Sequence, residues 1–466
     1  MRAERAARTL RIEMVRPALL LVVAVAAGSC VLPSAPAIAP VRPPLKVAPV
    51  VVATAKPLPT PVPTPPPDAV LLRGPAPRQR GRLVDLLLRS SVAPAALDVE
   101  VDGARASPWM RWTAATNELE IRAGPLPNGT HTVSVAGRTS TVEAETVIDR
   151  QAPIVRGLYV TAYVASDPER RKELFARAAQ VGLNAVVVDV KDASGHVFLD
   201  VPEPTAKRIG ALEPFFTPSQ LVGDAHAAHL YLIARIVCFE DPILAAAEPK
   251  TAFHIGDKLF LGESGLAWVD PRVPATRDYL VGLARAVAAA GVDEIQLDYV
   301  RFPTGPGMDQ LDRSTVSGRV GAIGLFLDDV RKAIDPTGVY LSADVFGLTT
   351  TAVDDLQIGQ EITDIARRVD VVSPMMYPSH YALGSYGLPD PDAAPAATVT
   401  DSLTDGLPRI AGSGALMRPW LQAFTLRHPY GVPQVEAQID AAAALGVHGY
   451  LLWDPSVQYD ALPPRL

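Results

Sequence analysis

Cysteine is almost missing from this chain. Two occur in 466 residues, too few for the disulfide framework on which small secreted domains depend. One of them, Cys238, lies inside Leu232-Ile233-Ala234-Arg235-Ile236-Val237-Cys238-Phe239, which reads as a buried strand carrying an inert thiol. No basic block occurs outside the extreme N-terminus and the net charge is -7, so nucleic acid is not an expected partner. The eight histidines show no metal-ligand spacing, and no metal site is expected. A Gly-x-x-x-x-Gly-Lys-[Ser/Thr] loop is absent, which argues against nucleotide hydrolysis, and so is a Gly-x-Ser-x-Gly elbow. No cofactor is expected.

Residues 2–16 carry Arg2, Arg5, Arg8, Arg11 and Arg16 against two glutamates, and Pro17 to Gly28 is then almost wholly apolar. That is the layout of a secretory leader, with an apolar run too short to span a bilayer comfortably. Cys30, directly after Ala27-Gly28-Ser29, resembles the acceptor cysteine of a bacterial lipoprotein, although Ala27 stands where that pattern prefers leucine. An ordinary leader is the alternative. Either way residues 1–30 direct export, and the expected location is the cell envelope, with membrane contact only through the N-terminal anchor. Residues 31–80 are rich in proline, alanine and valine with no acidic residue before Asp68. They should form an extended tether that holds a folded domain away from the membrane.

Between 81 and 150 the pattern becomes short alternating stretches such as Leu97-Asp98-Val99-Glu100-Val101 and His131-Thr132-Val133-Ser134-Val135, with turn signals at Asp102-Gly103 and Pro127-Asn128-Gly129-Thr130. This predicts a small all-β domain, and its Leu-Pro-Asn-Gly-Thr-His-Thr-Val stretch resembles a turn of bacterial immunoglobulin-like domains. We read it as a structural spacer. From residue 151 to 466 strand and helix patterns alternate. Eight strands are expected to begin near Gly157, Ala185, Tyr231, Glu294, Val339, Val371, Pro419 and Gly449, with helices over Pro168–Val181, Pro218–Ala228, Thr276–Ala290, Val320–Ile334 and Val432–Leu445. Eight such units fit a single (β/α)8 barrel. A doubly wound sheet would advertise a glycine-rich first turn, which Val160-Thr161-Ala162-Tyr163 is not.

In a barrel the C-terminal strand ends share one face, so the polar residues that close these strands should converge. Asp298 ends the fourth strand and Asp344 the fifth. Cleavage of a glycosidic bond needs one carboxylic acid to protonate the leaving oxygen and one carboxylate to attack the sugar or activate water. We expect Asp298 as nucleophile or base and Asp344 as general acid, the alternative being that either merely pairs with Arg301 or Arg235 at the rim. Substrate contacts are expected from Asp189, Lys191 and Asp192 after the second strand and from Arg235 and Asp241 at the third, where Glu240 is a spare acid. Arg301 follows the fourth strand, and Gln422 and Asp454 close the last two. Trp268, Tyr299, Tyr377, Tyr381, Trp420 and Trp453 are candidate platforms for sugar rings, and His380 could hydrogen-bond a sugar hydroxyl.

Six segments together resemble one family, the glycosyl hydrolase domain known as domain of unknown function 4015. They are Arg156-Gly157-Leu158-Tyr159-Val160-Thr161, Val188-Asp189-Val190-Lys191-Asp192-Ala193-Ser194-Gly195, Glu294-Ile295-Gln296-Leu297-Asp298-Tyr299-Val300-Arg301-Phe302-Pro303, Ser342-Ala343-Asp344-Val345-Phe346-Gly347, Pro374-Met375-Met376-Tyr377-Pro378-Ser379-His380-Tyr381 and Gln422-Ala423-Phe424. The resemblance implies a barrel glycosidase related to the α-amylase-like enzymes, whose fourth strand supplies an aspartate nucleophile and whose fifth supplies a glutamate acid. This chain has Asp344 there. A chitinase-like reading (glycoside hydrolase family 18, Asp-Gly-x-Asp-x-Asp-x-Glu) fails, because Val300 would stand where the proton donor belongs. The expected function is therefore hydrolysis of a polysaccharide by a two-carboxylate, retaining mechanism in a monomer. The alternative is a non-catalytic carbohydrate-binding envelope lipoprotein on a degenerate barrel.

Overall fold

The computed structural model describes residues 70–73, 81–90, 93–138, 143–311, 314–459 and 462. The expected leader with Cys30, and all but residues 70–73 of the expected tether, lie outside the described residues. Among these residues no helix is long and apolar enough to cross a membrane.

Eight strands close into a parallel barrel: β1 (Arg156–Val160), β2 (Ala185–Lys191), β3 (Tyr231–Val237), β4 (Glu294–Asp298), β5 (Tyr340–Phe346), β6 (Val371–Met376), β7 (Trp420–Gln422) and β8 (Tyr450–Trp453). Each pairs with the next, and β8 returns to β1. These are runs of valine, leucine, isoleucine and alanine buried on both faces, as parallel strands under a helical jacket must be. The crossover helices are α1 (Pro168–Gln180), α2 (Pro218–Ala227), α3 (Pro274–Ala289), α4 (Val316–Ile334), α5 (Ile362–Ala366), α6 (Pro395–Ile410) and α7 (Val432–Ala444). Their starts are written locally. Asp167 accepts hydrogen bonds from Glu169 N and Arg170 N with Pro168 in the first turn, and Thr217 with Gln220 forms a capping box.

The interior is layered. Outward residues such as Leu232, Ile295 and Leu341 pack on the helices. Inward, Tyr159, Arg235, Asp344 and Trp420 from the odd strands share one layer, joined by the Tyr159–Trp420 edge contact (6.4 Å), the Arg235–Tyr159 cation–π contact (5.6 Å) and the Trp420–Asp344 hydrogen bond. The strand register puts Asp189, Asp298, Met375 and Trp453 from the even strands in the layer above.

Residues 81–150 form two antiparallel sheets, completed by Val70–Arg73, around a shared core that includes Leu86, Leu97, Ile121, Val133 and Ile148. The Asp102-Gly103 turn is real, with φ of 54° and 75°, and joins Leu97–Val101 to Ala104–Ala106. This sandwich docks on the barrel's N-terminal face. Fully buried Arg150 lies 2.9 Å from Asp370, which also takes Arg331 at 2.8 Å. Asn128 stitches the junction, accepting from Arg150 and Ala152 N and donating to Asp370 O.

Candidate active site

At the C-terminal mouth the barrel carries a charged cluster organised by one arginine. Arg235 rises from β3, flanked by carboxylates on both neighbouring strands. Its Nη1 donates to Asp189 at 2.6 Å, and its Nε and Nη2 grip Asp298 Oδ2, the former at 3.0 Å. The same Nε lies 3.9 Å from Asp344 Oδ2. Two carboxyl groups from adjacent strands therefore face one guanidinium, and their Oδ2 atoms can be no farther apart than the sum of those two distances. The second oxygen of Asp298 accepts from Tyr299 N at 2.6 Å, and Tyr299 adopts a left-handed backbone (φ 50°) that turns the chain directly after the strand.

The groups differ in environment. Asp344 is 1% exposed; Trp420 Nε1 donates to its Oδ1 at 2.8 Å, and its Oδ2 has no hydrogen-bond partner among the described residues. Burial, reinforced by neighbouring Asp298, raises its pKa well above that of a free aspartate and so favours its neutral form. Asp189 accepts from Tyr159 Oη at 2.5 Å as well as from Arg235, yet burial outweighs both and lifts it to about 6. Trp453 stacks on Tyr159 (4.0 Å between ring centres) and under Arg235 (5.4 Å). Tyr377, whose phenol is raised by burial and then by Asp344 and Asp298, leans on Phe424 and His380 at the same rim. His380 accepts or donates at Ser379 Oγ (3.0 Å), and burial, then Arg427, lowers its pKa.

A second group surrounds Arg301. Its guanidinium packs over Trp268 (4.6 Å), Phe346 (4.7 Å) and Tyr299 (5.2 Å), so that it covers the Trp268 face expected for a sugar. Glu240 sits beside it, its pKa raised by burial and its Oε1 hydrogen-bonded by Ser264.

Other expected contacts are placed elsewhere. Lys191 and Asp241 form a fully buried ion pair at 3.1 Å, with Lys191 also donating to Val237 O and Asp241 capping Pro242–Ala247. Strict alternation would turn Lys191 inward with Asp189. A bulge on β2 instead pairs Asp189 with Arg235 and Lys191 with Ile236, which rotates the lysine into the wall. Asp192 folds onto its own turn, accepting from Ser194 N and Oγ. Asp454 does the same with Ser456 and Gln458 N, and Gln422 bridges Ser379 N and Phe424 O in full burial. Tyr381 is buried against Ser402. Tyr159, not singled out from the sequence, belongs to the cluster; its signal was inward parity one residue before the end of β1.

Eight parallel strands with acidic residues gathered at their C-terminal ends define the class, a (β/α)8 barrel with carboxyl groups at its mouth. The chain belongs to the family described as "Putative glycosyl hydrolase domain" (domain of unknown function 4015), whose model matches residues 157–459. It is a glycosidase. No curated protein sequence matches it. Among solved structures it is similar to a hypothetical protein from Ruminiclostridium thermocellum ATCC 27405 (31% identity over 40% of this chain and 97% of that one, TM-score 0.37). It is also similar to the PgaB (BpsB) glycoside hydrolase domain from Bordetella bronchiseptica (14% identity, 65% and 94%, TM-score 0.49). A third likeness is the catalytic domain of β-amylase from Paenibacillus polymyxa (12% identity, 67% and 96%, TM-score 0.44).

Proposed function

We propose that this chain is an exported glycosidase, held in the cell envelope through a lipid on Cys30, that cleaves the O-glycosidic bonds of a polysaccharide with retention. Asp298 is the nucleophile and Asp344 the general acid. One observation carries the assignment: a single arginine faces both carboxyl groups, gripping Asp298 with two of its nitrogens while Asp344 beside it lies buried with Oδ2 unpartnered among the described residues. A buried carboxyl whose neutral form is favoured, beside one held by a guanidinium, is the arrangement acid-assisted displacement uses.

In the first step Asp344 gives its proton to the leaving glycosidic oxygen as Asp298 attacks the anomeric carbon, leaving a glycosyl ester on Asp298. In the second, Asp344, now ionised, takes a proton from water, and that water displaces Asp298. Arg235 holds Asp298 in line and is itself oriented by Asp189 and Tyr159. The ceiling on the Oδ2–Oδ2 distance supports retention. It lies below most of the roughly 6.5–9.5 Å span that inverting enzymes need and can accommodate the roughly 5–5.5 Å of retaining ones.

The test uses the purified protein against bacterial exopolysaccharides, peptidoglycan and α-glucans, with chain shortening and the first-formed anomer followed by proton NMR. Asp298→Asn is expected to abolish cleavage while polymer binding stays measurable; full activity in that variant refutes the assignment. Retention of oligosaccharides by the wild-type protein without any shortening would favour a carbohydrate-binding protein instead.

A further inference from the structure

Trp420 is placed in the sequence as a candidate sugar platform, yet its ring is buried and packed among other aromatic rings. Its indole N–H is spent on Asp344 Oδ1, 2.8 Å away. An indole nitrogen only donates, so it demands an oxygen that accepts. A neutral carboxyl has one carbonyl oxygen, the better acceptor, and one hydroxyl oxygen. With Oδ1 taken by a donor, the hydroxyl must be Oδ2, which has no partner among the described residues and lies on the side of Arg235 Nε.

We propose that Trp420 is a positioning residue that assigns the single proton of Asp344 to Oδ2, the oxygen facing Arg235 and Asp298. The inference rests on the reading of Asp344 as the acid and deepens it by naming the donor atom. Packing holds the arrangement: Trp420 is buried and meets the stacked pair of Tyr159 (6.4 Å) and Trp453 (5.5 Å) edge-on. The proton therefore faces the bond that Asp298 attacks and does not wander to the Trp420 side. The charged and titratable groups around the carboxyl are Arg235 from β3, Asp298 from β4, Tyr377 from the end of β6 and Arg418 preceding β7. Arg235 and Arg418 favour its ionised form, and Asp298 opposes it.

The test needs no substrate, so its failure is distinct from failure of the glycosidase assignment. The full chain, with its five tryptophans labelled at the indole nitrogen, is followed by proton–nitrogen correlation spectra against pH, the Trp420 resonance being identified with Trp420→Phe. That resonance is expected to move in one transition centred well above the ordinary carboxylate range, and to stay fixed in Asp344→Asn, whose amide oxygen still accepts the bond. Infrared spectra should show a protonated-carboxyl band that Asp344→Asn removes. In Trp420→Phe this band should persist about one pH unit higher, because a donor favouring the ionised form is gone. An indole resonance that does not titrate, or titrates equally in Asp344→Asn, overturns the proposal, as does a band unmoved in Trp420→Phe. Should Trp420→Phe fail to fold, the resonance is identified by replacing Trp109, Trp112, Trp268 and Trp453 in turn, and the comparison with Asp344→Asn still decides.

Discussion

Arg235 contacts both Asp189 and Asp298 and lies within ion-pair range of Asp344. Asp344 and Asp189 are both raised because burial exceeds what the shared cation returns. For activity, the basic limb of the pH profile should follow Asp344 and lie well above the ordinary carboxylate range. Asp344→Asn should lower turnover about 10²–10⁴-fold, the usual scale of general acid catalysis, and should lose least on substrates whose leaving group needs no proton. For stability the sign is opposite to that of a paired surface carboxylate. A group whose folded pKa is raised binds more protons folded than unfolded, so stability falls as pH climbs from the unfolded value to the folded one. Asp189, raised to about 6, should therefore cost roughly 3 kcal/mol across pH 4 to 6. Asp189→Asn should flatten that decline in urea titrations; an unchanged slope would place the proton elsewhere. Which residues end strands was legible in the sequence, since each apolar run stops on a polar side chain. Which of them meet was not: the fate of Lys191 depends on a one-residue bulge that leaves no compositional mark.

At the level of elements, periodic apolar runs announced most of the barrel, and α1, α2, α3, α4 and α7 fall close to their expected spans. Two kinds of element stayed hidden. Helix α6 contains Pro408 and Gly406, residues that usually end helices, yet Gly406 is buried where a Cβ would meet Thr350 at 2.9 Å. Close packing decided that helix, not local preference. The strands Val197–Leu199 and Leu212–Phe216 extend the sheet beyond β2 and are too short to stand out. In the sandwich, Trp109–Thr113 turns Trp109, Arg111 and Thr113 to solvent and packs Met110 and Trp112 on the core, an alternation not singled out from the sequence. Gly347, at the end of β5, has a testable role. A Cβ there would collide with the Tyr381 hydroxyl and lie 2.5 Å from Met375 O. Gly347→Ala should therefore lose about 1–3 kcal/mol of stability in thermal or urea unfolding, with the β5–β6 rim disturbed first.

Across the whole molecule, the sandwich and the barrel are joined by a buried ion cluster at the end remote from the carboxyls. Removing one member of a buried pair leaves an uncompensated charge, so Arg150→Met should destabilise by about 3–5 kcal/mol and split calorimetric unfolding into two transitions. One unaltered transition would show the junction to be inert. Burial pulls Asp370 upward, but Arg331 and Arg150 outweigh it and hold its pKa below the ordinary value. Its contribution is therefore present above the unfolded pKa and lost as pH falls through the lower folded one. Acid should loosen the junction only below the ordinary carboxylate range. The junction also sets a direction. Gly81, which leads into the strand Val84–Arg89 of the sandwich, lies beside Gly338 under β5, on the face opposite the carboxyls. With the sandwich seated on one end of the barrel, approach by a polymer is left to the other, where the carboxyls lie.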